Sequence, residues 1–322
     1  MEAVRERNKF EVEGNHTSES VILQFEGVEG YDVYNCSIPF TWQGKRYLFG
    51  RIERRAEWMR SWVRLFTETG PDQWKVVPDS MIYQLEDPYI AIIEDQLILG
   101  GTHVRVRASE LDTYYGYFYR GVDINNLYYF TTGPDYMKDI RLVELADGRI
   151  GVFSRPRSNA IRKQHGSEAM IGFTVIDDLS CLTSEVIENA PYIYGLFDMD
   201  EWGGCNQAYL LSSGLVGVTG HLSYSQTVKG QTISTYLNTA FVLDPITREV
   251  ENFHIIGSRN SYPAGPAKKP SLSDCAFTSG IVMRPDGRAD LYSGIGDCQE
   301  GRTVIDDPFK GYGSIVSPAG AR

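Results

Sequence analysis

Short apolar runs, each closed by a Gly, Asp or Asn turn, recur along the whole chain, and almost no stretch keeps a helical period. The clearest is Tyr89-Ile90-Ala91-Ile92-Ile93, followed by a Glu94-Asp95 turn and a second run from Gln96 to His103. Before it stands Leu85-Glu86-Asp87-Pro88. A Pro is tolerated at the first position of a strand but not in its middle, so Asp87 is expected where a loop enters a sheet. The arrangement occurs four more times. Asn35 precedes the run 36–40, the turn Gln43-Gly44-Lys45 and a strand ending at Arg51. Asp139 precedes 140–143, Asp147-Gly148 and a strand ending at Arg155. Asn206 precedes 207–211, Ser213-Gly214 and a strand ending at His221. Asp274 opens the last copy, whose turn is Pro285-Asp286-Gly287 and whose second strand runs through Tyr292 toward Asp297.

The spacing is close to constant. Arg51, His103 and Arg155 each follow their opening residue by 16 positions and His221 follows Asn206 by 15. The openings at 35, 87, 139, 206 and 274 are separated by 52, 52, 67 and 68 residues, a period that signals a radial or linear repeat. Further apolar runs at 62–66, 74–77, 114–119, 127–130, 170–175, 236–243, 250–254 and 303–305 supply outer strands. The pattern therefore predicts an all-β chain forming a five-bladed β-propeller. The strand at 21–25, within the segment 1–30, is expected to complete the last blade and remove its open edge. Only 54–60 reads as a short helical turn.

A chain of 322 residues could hold one large or two ordinary domains, but no Ser/Gly/Pro-rich linker divides it, so one domain over 1–322 is expected. The charged start, Met1-Glu2-Ala3-Val4-Arg5-Glu6, does not read as a secretory leader, and no run approaches a transmembrane span. A cytoplasmic protein is expected. Five cysteines without CxxC spacing indicate neither a disulfide framework nor a zinc site. Sequons at Asn15 and Asn35 carry no weight in such a compartment. A net charge of −11 argues against a nucleic-acid or anionic-membrane partner, which needs a broad basic face.

In a propeller the innermost strands face the axis, so the polar residues opening them converge. Asn35, Asp87, Asp139, Asn206 and Asp274 would form one ring, and Arg51, His103, Arg155, His221 and Asp297 a second. Amides and carboxylates bind sugar hydroxyls, whereas Arg, Lys and His hold phosphate oxygens. Asp and Asn also end strands in many β proteins for purely local reasons. Five in register with basic partners favour the shared site.

The order of these motifs resembles that of the five-bladed β-mannoside phosphorylases and mannosidases, whose signatures read roughly EDPR, KD…FP…RP, YHG and YYGAAD. Here they stand as Glu86-Asp87-Pro88, Lys138-Asp139, Arg155-Pro156, Gly220-His221 and Tyr292-Ser293-Gly294-Ile295-Gly296-Asp297. From about 30 to 310 the chain is still more similar to the dual-activity β-1,2-mannosyltransferase/phosphorylases that turn over the reserve mannan, mannogen, of certain protist parasites. It departs from the pattern at Tyr89, where an Arg is usual, at 140–143, and at Gly220-His221-Leu222.

The resemblance implies inverting transfer with Asp87 as the single proton-handling carboxyl, since anionic phosphate attacks without a base, whereas a hydrolase needs a second carboxylate for water. It implies mannose oligosaccharides, inorganic phosphate, and mannose 1-phosphate or GDP-mannose as partners. Lys138, Arg155 and His221 would cradle phosphate. Asn35, Arg51, Glu86, His103, Asp139, Asn206, Tyr292 and Asp297 would line the sugar site. Glu86 either raises the pKa of Asp87 by like-charge repulsion or is turned away by strand alternation. Trp202, Tyr34 and Tyr292 are candidates for stacking on sugar faces. No metal-ligand spacing and no Gly-rich nucleotide loop occur, so neither metal nor cofactor is expected. The alternatives are a β-mannosidase and a non-catalytic sugar-binding propeller.

Overall fold

A computed structural model describes residues 2–13 and 17–316; the Asn15 sequon and His16 lie outside them. The chain is nearly all β. The first unit comprises β1 (Thr17–Ile22), β2 (Gln24–Glu26), β3 (Asp32–Tyr34), β4 (Phe40–Trp42), β5 (Lys45–Glu53), β6 (Trp62–Gly70) and β7 (Gln73–Val76). A second holds β8 (Glu86–Ile93), β9 (Gln96–Arg107), β10 (Glu110–Gly121) and β11 (Tyr128–Thr132). The third has β12 (Arg141–Glu144), β13 (Ile150–Ser154), β14 (Ile171–Ile176) and β15 (Tyr192–Ile193). Then follow β16 (Glu201–Leu210), β17 (Val216–Val228), β18 (Gln231–Leu243) and β19 (Val250–Gly257), and last β20 (Asp274–Met283), β21 (Ala289–Ile295) and β22 (Gln299–Ile305).

Within each unit consecutive paired strands run antiparallel, most of them joined by short turns, whereas β13 and β14 are joined by a segment that carries α2. Glu94 and Asp95 both take positive φ, 52° and 60°, which matches the twist of a two-residue hairpin. The fourth and fifth units do not stay apart: β18 and β20 pair in parallel at Thr235↔Asp274 and Tyr236↔Cys275, joining them into one eight-stranded sheet. The predicted strand at 21–25 is divided. β1 pairs antiparallel with β22 of the last unit, as expected, but β2 pairs parallel with β7 of the first. Leu23 is the buried pivot between them.

Among the described residues three α-helices interrupt the pattern, α1 (Glu2–Glu13), α2 (Asn159–His165) and α3 (Ser184–Glu188), and the segment 54–60 forms turns and bends instead of helix. The periodicity missed α1 because only Ala3 on it is buried. It docks through polar groups at i, i+4 and i+8: Ala3 N donates to Glu201, Arg7 makes a two-pronged contact with Asp274 (2.5 and 3.0 Å), and Glu11 accepts from Ser258 and Asn260. No described helix is long and apolar enough to cross a membrane.

The main apolar core draws Ile38, Ile90, Tyr209 and Ile281 from four units. These residues lie two or three positions beyond Asn35, Asp87, Asn206 and Ser279 on strands that converge. With Leu142 they line an apolar cavity of about 240 Å³. The polar openings are carried to a common place by the same convergence.

Candidate active site

One pocket of about 110 Å³ collects residues from all five units: Asn35 and Arg51, Glu86 and Asp87, Lys138, Asp139 and Arg155, His221, and Asp297. The backbone at the openings is unusual. Asn35, Asp87 and Asp139 take φ of 46°, 50° and 57°, and Asp297 takes 54°. Asn and Asp tolerate the left-handed region better than other side chains, and such conformations concentrate at functional sites. At Asp87 the ladder is also broken: Glu86 pairs with Thr102 and Tyr89 with Gly100, leaving Asp87-Pro88 as a bulge that aims the carboxylate off the sheet.

Asp87 Oδ1 accepts from Asn35 Nδ2 and from Arg51 Nη1, both at 2.8 Å. Arg51 also reaches Glu86 at 3.0 Å and Glu53 at 3.5 Å, donates through Nε to Ser61, and lies over the Tyr34 ring at 4.7 Å. Glu86 therefore points into the site, and strand alternation does not turn it away. Burial raises the Asp87 carboxyl, but Arg51 and Lys138, with the Asn35 amide, outweigh it and hold its pKa below the ordinary value. Glu86 and Asp297 go the other way: burial lifts both, Arg51 opposes, and the charge of Asp87 adds to the rise.

Opposite stands a cationic wall. Arg155 Nη1 is 2.9 Å from Asp139 and its Nε donates to Gly203 O at 2.7 Å. A Cβ at Gly204 would lie 3.0 Å from Arg155 Cδ and 3.2 Å from His221 Cε1, so the bare Gly204 backbone is what lets both side chains approach. Burial raises the Asp139 carboxyl, yet Arg155, Lys138 and Arg141 hold it far below its usual value. Burial and then Arg155 depress His221 to about 3, so its imidazole is neutral near pH 7. Its Nδ1 lies 2.7 Å from Asn206 Oδ1. His221 is therefore a neutral dipole in this pocket, beside the cation Arg155.

Four expected residues, Asn206, His103, Tyr292 and Asp274, are not in the pocket. Asn206 sits behind His221 in a bulge of β16, where its side chain orients the imidazole. His103 lies on β9, an inner strand of the second unit, with Nδ1 3.1 Å from Gln84 O and its ring against Tyr115 and Tyr117, and it lines a separate groove. Tyr292 is buried in the apolar cluster between the first and last units because β21 turns it from the site. Asp274 opens β20 but is held by Arg7 and Thr235. The position matching Asp87 in the fifth unit is Ser279, in the bulge between Thr278 and Gly280.

Arg157, Trp58, Tyr236, Cys275 and Phe277 line the pocket without having been expected there. Arg157 follows Arg155 by two, so alternation in extended chain would have found it, whereas Cys275 and Phe277 lie on the opposite alternation from the expected opening Asp274. Tyr236 and Trp58 carry no such signal. Tyr89, at the departure from the resembled pattern, is buried with the Arg141 guanidinium 4.5 Å over its ring, and Arg141 Nη2 is 3.7 Å from Asp139.

Four cations, Arg51, Lys138, Arg155 and Arg157, thus face four carboxylates, Glu86, Asp87, Asp139 and Asp297. Asn35 Oδ1 and Asp139 Oδ1 are buried acceptors with no donor from the protein. A ligand that brings hydroxyls to the acceptors and an anion to the cations satisfies both halves.

An all-β chain whose units converge on one buried, charge-partitioned pocket is the class that fold and site define. It belongs to the family described as "Protein of unknown function (DUF1861)", which matches residues 8–311. Among solved structures it is similar to MPT-4, a mannose phosphorylase from Leishmania mexicana in complex with phosphate ion, at 51% identity over 99% of this chain and 97% of that one, with a TM-score of 0.93. It is likewise similar to MPT-1, a GDP-Man-dependent mannosyltransferase from Leishmania mexicana, at 45% identity over 99% and 98% with a TM-score of 0.91. The β-1,2-mannobiose phosphorylase of Listeria innocua shares the fold, with a TM-score of 0.57 at 12% identity over 86% of this chain and 91% of that one. No curated protein sequence matches the chain.

Proposed function

We propose that this protein is an inverting β-1,2-mannosyltransferase and phosphorylase, built as a single five-bladed propeller. The observation that carries the reading is the partition of one pocket into a carboxyl wall, Asp87 with Asn35 and Arg51, and an anion wall, Lys138 and Arg155 with His221. Full-length likeness to MPT-4 and MPT-1, proteins of those two activities, supports it. The repeat of polar strand openings supports the radial layout, with the β18–β20 pairing as a local bridge between two blades.

In phosphorolysis a phosphate oxygen, held by Lys138 and Arg155, attacks the anomeric carbon. The glycosidic C–O bond breaks, and the leaving oxygen takes the proton of Asp87, giving mannose 1-phosphate with inversion. In synthesis the Asp87 carboxylate accepts the proton of the acceptor 2-hydroxyl while phosphate, or a nucleoside diphosphate from GDP-mannose, departs. The unliganded site holds Asp87 ionised, ready for synthesis. A bound phosphate dianion cancels the pull of Lys138 and raises Asp87 toward the acid form that phosphorolysis needs.

A hydrolase would need a second carboxylate as base. Asp139 is locked between Arg155 and Arg141, and Asp274 is held outside the pocket by Arg7. The five cysteines are all unpaired, which supports a reducing, cytosol-like compartment.

The test is incubation with β-1,2-mannobiose with and without phosphate. Phosphate-dependent mannose 1-phosphate is expected from the wild type, and Asp87→Asn should lose at least about a hundredfold in rate. Equal release of free mannose without phosphate would sink the reading.

A further inference from the structure

Behind the carboxyl wall lies a second ion pair that does not line the pocket. The Lys268 ammonium meets the Glu53 carboxylate, with the two side chains 4% and 0% exposed. The Tyr34 hydroxyl donates to Glu53 at 2.6 Å and accepts from Lys268 Nζ at 3.1 Å, and Arg60 N donates to Glu53 at 2.9 Å. We propose that Lys268 is a positioning residue for the reaction: by answering Glu53, it leaves the Arg51 guanidinium turned toward Asp87. The inference rests on the mannosyl-transfer reading of the pocket.

The distances show the competition for Arg51. Its guanidinium is 2.8 Å from Asp87 and 3.0 Å from Glu86, but 3.5 Å from Glu53. Burial raises the Glu53 carboxyl, yet Arg51, then Lys268 and Tyr34, outweigh it and hold its pKa below the ordinary value, so Glu53 is ionised. A buried carboxylate that loses its ammonium is left uncompensated and draws the next cation. That cation is Arg51, which shares the Tyr34 ring with Lys268, at 4.7 and 5.3 Å from its centre. Asp87 would then keep Lys138 and the Asn35 amide while still facing Glu86, Asp139 and Asp297.

The backbone fixes Lys268 in this place. It lies in the loop between β19 and β20, stiffened by Pro263, Pro266 and Pro270. Lys268 N donates to Gly296 O at 2.7 Å. Gly296 takes φ of 58°, and a Cβ there would lie 2.8 Å from Pro266 O and 2.9 Å from Ala267 Cα, so the loop rests on bare backbone next to Asp297.

The test is the pH profile of mannosyl transfer from mannose 1-phosphate, read beside the KM for phosphate in phosphorolysis. In Lys268→Met the acid limb should move up by about one pH unit, an about tenfold loss of rate on that limb. The KM for phosphate should stay within about twofold, because Lys138 and Arg155 are untouched. Glu53→Gln removes the competitor and should move the limb down, and the double variant should return it to within about 0.3 unit of the wild type. Lys268→Arg keeps the charge and should keep the wild-type limb. A purely structural role would lower the rate at every pH and would not change sign between the two single variants. An unmoved limb in either single variant, or a double variant no nearer the wild type than Lys268→Met, overturns the proposal. If Lys268→Met does not fold, the direction of the shift in Glu53→Gln decides alone. Failure of the transfer reading looks different: the wild type itself then yields no mannose 1-phosphate from β-1,2-mannobiose and phosphate.

Discussion

Lys138 acts on both carboxylates that matter, pulling down Asp87 and Asp139 alike. Its removal therefore has a signed consequence. In Lys138→Met the pKa of Asp87 rises, so the acid limb of synthesis, which needs the carboxylate, moves to higher pH, and the KM for phosphate increases about tenfold or more. A pH profile of mannosyl transfer from mannose 1-phosphate checks it; an unmoved acid limb refutes it. Glu300 is a separate titrating residue. It is buried beneath the Asn35 turn, accepting from Cys36 N at 3.0 Å and Ser279 Oγ at 2.7 Å, and burial pushes its pKa up to about 8. A carboxyl raised on folding contributes stability below its unfolded value that is lost as pH climbs through the folded one. Between about pH 5 and 8 the chain should lose up to roughly 1.4 kcal/mol per pH unit from this group. Glu300→Gln keeps an acceptor for Cys36 N and should flatten that slope in denaturant melts across the range.

Among the elements, β1 does most for its length. Its pairing from Thr17↔Ile305 to Ile22↔Gly301 covers the outer edge of β22, and β2 then carries the chain onto β7 of the first unit. Removal of residues 1–22 would bare a row of unpaired N–H and C=O groups on β22, the template on which sheets aggregate. That truncation should give aggregates on size exclusion, whereas removal of 1–13 alone, which costs only the docking of α1, should leave a monodisperse protein. Equal behaviour of the two would show that β1 is dispensable. The bulges are the other decisive element. At Asp87-Pro88 and at Asn206 a break in the ladder register turns a side chain out of the sheet, and the flanking apolar strands hold it there.

Across the whole molecule the units share their core instead of each closing its own. The main apolar cluster runs from Phe40 and Phe49 through Ile90 and Tyr209 to Ile281 and Ile305, and the β18–β20 pairing fastens the last two units together. Such a chain should unfold as one body. Calorimetry is expected to give a single transition whose van't Hoff and calorimetric enthalpies agree; two resolved transitions would refute the single-domain reading.

The sequence by itself determined most of the strands, their hairpins, the polar openings at Asn35, Asp87 and Asp139, and the cations Arg51 and Arg155, because alternation, turn chemistry and a nearly fixed spacing are local properties of the chain; Lys138 came only from the resemblance of its motif. Its alternation also places Arg157 beside Arg155. What tertiary structure decided was everything that depends on which strand faces which. Asp274 opens a strand as expected, but an arginine from α1 captures it, and the bulge that matches Asp87 falls five residues later at Ser279. His103 keeps the repeat position of Arg155 yet points into another groove, and Asn206 serves His221 from behind. The charge state of His221 belongs to the same group, since a depressed pKa arises from burial beside Arg155, and neither burial nor proximity across 66 residues of chain is written in the local pattern.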